Sequence, residues 1–147
     1  MNYIKDESER ILGIDYGKKR IGIAISDPLK MFAIPKVTIK NDLNFENNLR
    51  KIFEEFNIVK IIIGYPLKEN GEKYPLTEEV EKFAERIKKI FKTEIELVDE
   101  RYSSAIAWEQ IIKGVPSKKK RQDKSLIDMN AAAVILDDYL KINDKNF

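Results

Sequence analysis

Neither cysteine nor histidine occurs anywhere in this chain of 147 residues. The first absence excludes disulfides, thiolate zinc sites and cysteine nucleophiles. The second excludes imidazole general bases, Ser-His-Asp triads and imidazole metal ligands. Any catalysis must therefore run on carboxylates, lysines, hydroxyls or a bound cation, and carboxylates prefer hard ions such as Mg²⁺ or Mn²⁺. Long apolar runs are missing too: none approaches the roughly 20 residues that span a bilayer. The opening segment Met1–Arg10 is polar and lacks the apolar centre of a signal peptide. A soluble, cytoplasmic protein with no membrane partner is the expectation. Nor is there an excess of charge of one sign, with 27 Lys and Arg against 25 Asp and Glu. A polyanionic partner must then be recognised through local clusters of charge.

What is present suits one domain over residues 1–147, ordered from about 10 to 141. A chain of this size buries about 68–70% of its unfolded surface and needs no staple to fold. Arg10–Asp15 reads as a strand ending in an acid. The turn 16–19 leads to a second strand, Arg20–Ser26, where Ile21, Ile23 and Ile25 alternate with Gly22, Ala24 and Ser26. Pro28 ends this hairpin. Met31–Ile39 forms a third strand, which Pro35 assigns to an edge. Phe45, Leu49, Ile52, Phe53 and Phe56 recur at helical spacing, and Val59–Ile63 is a β-branched run suited to a strand covered on both faces. A second helix starts with Thr77 as N-cap and carries Val80, Phe83, Ala84, Ile87, Ile90 and Phe91 on one stripe. Glu94–Val98 is the fifth strand. Ser103 or Ser104 caps a helix bearing Ala105, Trp108, Ile111 and Ile112. After a basic loop, 117–124, a final helix over about 125–140 is apolar nearly all round. The order β-β-β-α-β-α-β-α-α predicts an α/β fold, a mixed five-stranded sheet of an antiparallel meander plus parallel strands, with helices on both faces. Right-handed crossovers put the first, fourth and fifth strands side by side and parallel.

In such sheets the functional crevice lies beyond the carboxyl ends of the parallel strands. Asp15 closes the first strand at that edge, and Glu100 (or its neighbour Asp99) follows the fifth. Asp128 shares a helical stripe with Ala131, Ala132 and Ile135, whose small members let the helix approach the sheet. Gly13 lies on the face of Asp15, and the partner strand offers Gly22 and Ala24. So empty a face accommodates either a helix or a phosphate backbone at close range. Taken singly, an Asp closing a strand is most often a turn former, and an acid-rich segment before a helix is often only its first turn. A charge within so apolar a helix is a stronger signal, because it needs a partner. Convergence of all three favours a metal site. Clustered carboxylates repel unless a cation compensates, and Mg²⁺ keeps waters able to attack a phosphodiester.

Lys18, Lys19 and Arg20 follow Asp15 directly, while Lys113, Lys118, Lys119, Lys120, Arg121 and Lys124 precede the helix carrying Asp128. Alone, each cluster is an ordinary soluble turn. Their position beside the acids favours phosphate binding, with Arg101 a candidate clamp on the scissile phosphate. Tyr16, Tyr65 and Tyr102 are candidates to stack on unpaired bases, whereas Trp108 suits the core better.

The stretches Gly13-Ile14-Asp15-Tyr16-Gly17-Lys18, Arg20–Ala24, Ser26-Asp27-Pro28, Ile63–Leu67, Asp99–Ser104 and Lys124–Ala132, taken in order, resemble the YqgF/RuvX family of the RNase H-like superfamily. The resemblance covers about residues 10–141. It implies a metal-dependent nuclease with Asp15, Glu100 and Asp128 as catalytic, metal-holding acids. It also implies Mg²⁺ or Mn²⁺ as cofactor and maturation of the 5′ end of pre-16S ribosomal RNA as the task, with RNA preferred to DNA and a pre-ribosomal small-subunit particle as a candidate partner. Two features depart from the family pattern: Lys68–Tyr74 replaces a small-residue loop after Leu67, and Tyr102 stands where a leucine is usual. Three other readings compete. One is Holliday-junction resolution on DNA, which needs a dimer for two symmetric cuts; monomer and homodimer are both open. Another is non-catalytic RNA binding on a nuclease fold. The last is an ATP-binding module built on Gly-Ile-Asp-x-Gly, which a chain this short, holding one such domain, does not favour.

Overall fold

The computed structural model describes residues 6–101 and 124–144. Strands β1 (Asp6–Asp15), β2 (Arg20–Ser26), β3 (Ala33–Lys40), β4 (Phe56–Tyr65) and β5 (Glu94–Asp99) form one sheet in the order β3-β2-β1-β4-β5. β1, β2 and β3 are an antiparallel meander, and β1, β4 and β5 run parallel. Helices α1 (Phe45–Glu55) and α2 (Pro75–Phe91) accompany the parallel strands, and α3 (Lys124–Asp144) crosses the meander.

Alternation along the strands sorts side chains into two unlike faces. Leu12, Ile14, Ile21, Ile23, Ile61 and Ile63 point to one side, where Phe45, Leu49, Val80, Phe83 and Ile87 of α1 and α2 complete a core. Ile11, Ala24 and Ile62 point to the other and meet Ala132, Ile135, Leu136 and Leu140 of α3. Each fully buried Ile or Leu contributes roughly 1.5–3 kcal/mol, so the face under α1 and α2 supplies most of the apolar stabilisation. The α3 face can therefore use glycine and alanine to bring a helix close.

The expected architecture and strand order are observed, with shifted boundaries. β1 starts earlier, at Asp6, because its added residues pair with the start of β4. β3 begins at Ala33, not Met31. The buried Asp27 carboxylate accepts the N–H groups of Leu29, Met31 and Phe32 at 3.0, 2.7 and 2.9 Å, which folds that segment into a turn. Pro35 does lie on the edge strand, opposite Ala24 at a shift in register. Thr77 is not the N-cap of α2. Tyr74 holds that position and Pro75 opens the helix. Thr77 is instead the third helical residue, fully buried, accepting the Tyr74 N–H at 3.2 Å and donating its hydroxyl to the Pro66 carbonyl. That bond fastens the start of α2 to the segment following β4. α3 runs longer than expected, and Ile142 on its last turn is exposed. The expected helix with Ala105, Trp108, Ile111 and Ile112 lies outside the described residues, as do Tyr102, Lys113, Lys118, Lys119, Lys120 and Arg121.

Candidate active site

The register of the sheet aligns three separate segments at one edge. Asp15, the last residue of β1, pairs with Gly22 of β2. Ile14 pairs with Ile63, so Asp15 comes level with Gly64 at the end of β4. Gly64 pairs with Val98, two residues before Glu100, and the Glu100 N–H donates to the Tyr65 carbonyl at 3.4 Å. Asp128 arrives on α3 from the opposite end of the chain.

Glycine sets both approaches. A Cβ built on Gly22 would stand 2.0 Å from the Asp128 carbonyl oxygen, so only a bare backbone admits the helix there. A Cβ on Gly64 would stand 2.5 Å from Glu100 Oε2, so the carboxylate lies directly over that glycine. The empty face seen in the sequence is thus filled by α3 over Gly13 and Gly22, and by an acidic side chain over Gly64.

Asp15, Glu100 and Asp128 line one cavity of about 350 Å³, together with Tyr16, Gly17, Pro66, Leu67, Tyr74, Leu76 and Arg101. The Arg20 Nε–H donates to Asp128 Oδ2 at 2.9 Å, an ion pair with the two side chains 33% and 22% exposed. Arg101 lays its guanidinium along Asp99, with Nε and Nη2 donating to the carboxylate at 2.8–3.2 Å. Those side-chain bonds, with one from the Arg101 backbone N–H, hold the Asp99 carboxyl below its ordinary range. Burial, with the negative charge of Glu100, pushes the Tyr74 phenol up. It remains a neutral O–H group at neutral pH. Tyr16 is half-buried against Phe83, ring centroids 4.9 Å apart, and also borders the cavity. Lys18 is exposed, 3.6 Å from Glu79.

The donors on this wall are chemically those of a hard divalent ion: three carboxylates and no softer ligand. As the side chains lie, no three acidic groups among the described residues stand close enough to ligate one ion, and Asp128 is engaged by Arg20. Tyr74 and Leu76 are cavity residues that the sequence did not single out, and Pro66 and Leu67 belong to a stretch that carries the family resemblance but has no assigned role in a site. The only signal for Tyr74 was Pro75, a residue suited to the first position of a helix.

Comparison with known proteins gives consistent results. The family described as "RuvX: Holliday junction resolvase" matches residues 9–142. A protein of Dictyoglomus turgidum is 39% identical over 133 residues, covering 89% of this chain and 93% of its own length. One of Flavobacterium psychrophilum is 41% identical over 132 residues, covering 89% and 96%. Both carry the name "Putative pre-16S rRNA nuclease". Among solved structures, Fowlpox virus resolvase with its Holliday junction DNA superposes with a TM-score of 0.54 at 17% identity, covering 91% of this chain and 98% of that one. RuvC of T. thermophilus with a Holliday junction substrate gives 0.54 at 12% identity, covering 92% and 96%. At such identities the two structures establish a shared fold.

Proposed function

The chain belongs to the RuvX family, and from that premise we propose that it is a metal-dependent nuclease acting in maturation of the 5′ end of pre-16S ribosomal RNA. The observation that carries this reading is the common cavity of Asp15, Glu100 and Asp128, acids from three remote segments, at the carboxyl edge of β1, β4 and β5. These three carboxylates would hold Mg²⁺ or Mn²⁺. Such an ion, when bound, supplies an activated water and charge for the leaving oxygen of an in-line displacement. The protein's own groups do the rest. Gly22 and Gly64 fix how closely Asp128 and Glu100 approach. The Tyr74 hydroxyl stays protonated and offers a hydrogen bond inside the cavity. Arg101, on the cavity wall, would trade Asp99 for the scissile phosphate. Lys18 and Lys19, with Lys118, Lys119, Lys120, Arg121 and Lys124 ahead of and opening α3, bind the phosphate backbone. The protein works in the cytoplasm as one domain, on RNA presented free or in a small-subunit precursor particle. No helix among the described residues is long and apolar enough to cross a membrane.

A second reading, cleavage of four-way DNA junctions, is favoured by the family description and by the junction-bound resolvases that share the fold. Precursor ribosomal RNA and a four-way junction, each labelled and incubated side by side with the protein in Mn²⁺, separate the two. Cleavage of the RNA, abolished by EDTA, is expected, and cleavage confined to the junction would select the second reading. Asp15→Asn should abolish cleavage while leaving RNA binding intact. Unchanged cleavage would remove Asp15 from the catalytic set.

A further inference from the structure

Arg20 opens β2, on the same face as Gly22 and Ala24, and its guanidinium reaches across the α3 interface to Asp128, 108 residues away in the chain. Both side chains are partly buried. A carboxylate in such a position needs a positive partner, because removing it leaves a partly desolvated charge uncompensated. Arg20 is therefore a cation already seated on one of three acids that share a cavity.

We infer that Arg20 is the resident counter-ion of Asp128, holding its carboxylate when no divalent ion is bound and releasing it when one arrives. The inference rests on the reading that these acids hold a metal. It adds that the apparent metal affinity is set by competition between a guanidinium and the ion for the same oxygens. It also gives a reason why the acids can share a cavity without the ion: Asp128 is neutralised by Arg20. Once released, the guanidinium would still stand beside Asp128, an acid of the cavity wall, with a fork of donors suited to a phosphate.

The test uses the full chain without nucleic acid and Mn²⁺ alone as probe, with isothermal titration for affinity and thermal melts in EDTA and in saturating Mn²⁺. Arg20→Gln should bind Mn²⁺ about tenfold more tightly, the scale on which groups behind a ligand tune metal affinity. It should melt lower than wild type in EDTA, and Mn²⁺ should raise its Tm by more than it raises that of wild type. In an Asp128→Asn background the gain from Arg20→Gln should vanish, since no carboxylate is left to free. Arg20→Lys, which keeps the charge but not the planar fork, should show a smaller gain and carries the test if Arg20→Gln does not fold. Unchanged or weaker Mn²⁺ binding by these variants would overturn the inference. So would a gain that persists beside Asp128→Asn, which would mark a general effect of charge. If Asp15→Asn and Asp128→Asn both leave the affinity of the otherwise wild-type chain untouched, the metal reading itself has failed, and the inference falls with it.

Discussion

Asp27 shows how a single carboxylate can decide where a strand begins. It is buried, and burial alone would push its carboxyl up. The backbone N–H groups of Phe32, Met31 and Leu29 outweigh that effect and leave it below the ordinary value. A folded-state pKa below the unfolded one, about 3.9 for Asp, contributes stability that is present above about pH 4. That stability is lost as pH falls through the folded value. Asp27→Asn removes the charge and one of the two acceptor oxygens. It should cost on the order of 2 kcal/mol at neutral pH, measured by urea unfolding. The gap to wild type should narrow as the pH is lowered from about 4 to 3. A gap that stays constant down that range would show that the ionised form contributes nothing. Lys60 is a second case in which partners outweigh burial. Its ammonium lies 2.7 Å from the Tyr139 hydroxyl and 3.1 Å from Glu96, and these hold its pKa above the ordinary lysine value. The side chain thereby links β4 to α3 and β5 as a permanent cation.

At the scale of elements, two glycines separate stability from chemistry. Gly22→Ala drives a methyl group into the backbone of α3 at Asp128, where no side chain can swing aside. The helix must shift, so a loss of about 1–3 kcal/mol is expected, together with loss of cleavage. Gly64→Ala meets first the carboxylate end of Glu100, a flexible group, and then Ile135 Cδ1 at 3.0 Å. It should melt close to wild type yet cleave about a hundredfold more slowly, as an ångström-scale misplacement of a reacting group can cause. Thermal melts and single-turnover rates on both variants check the contrast. Equal losses in both measurements for Gly64→Ala would refute it. The emptiness of this face was legible from Gly13, two residues before Asp15, and from Gly22 and Ala24 at the same spacing on the partner strand. Its purpose was not, because a helix and a phosphate backbone ask for the same small residues. The start of α2 was misplaced for a physical reason as well. Thr77 carries the chemistry of a cap, but it spends its hydroxyl on Pro66, and the true N-cap, Tyr74, has no side chain typical of that role. Met31 and Phe32 look like strand residues, and the Asp27 carboxylate, together with backbone bonds from Asp27 to Phe32 and from Lys30 to Asp27, diverts them. The strand order, and the meeting of Asp15 and Glu100 at one edge of the sheet, could be read from the chain because local pattern and crossover handedness determine them. The Arg20–Asp128 pair could not, since nothing local connects residues so far apart.

Across the whole molecule, a net charge of +2 is too small to draw a polyanion by itself. Affinity for nucleic acid must come from clusters that release counterions where they touch phosphates. Replacing Lys118, Lys119, Lys120 and Arg121 by Ser should weaken RNA binding and flatten the plot of log affinity against log salt by up to about 3 units. That figure follows from roughly 0.7 for each single-strand phosphate that is no longer neutralised. An unaltered slope would remove the cluster from the interface. The same distribution of parts sets an order of events during synthesis. All five strands are translated before α3, so the sheet can assemble while its Gly13 and Gly22 face is still bare. A nascent polypeptide that has reached residue 101 holds two of its three acids and lacks the third until α3 docks. An enzyme made on ribosomes, and proposed to trim their RNA, thus acquires its full complement of acids only after its sheet has been translated.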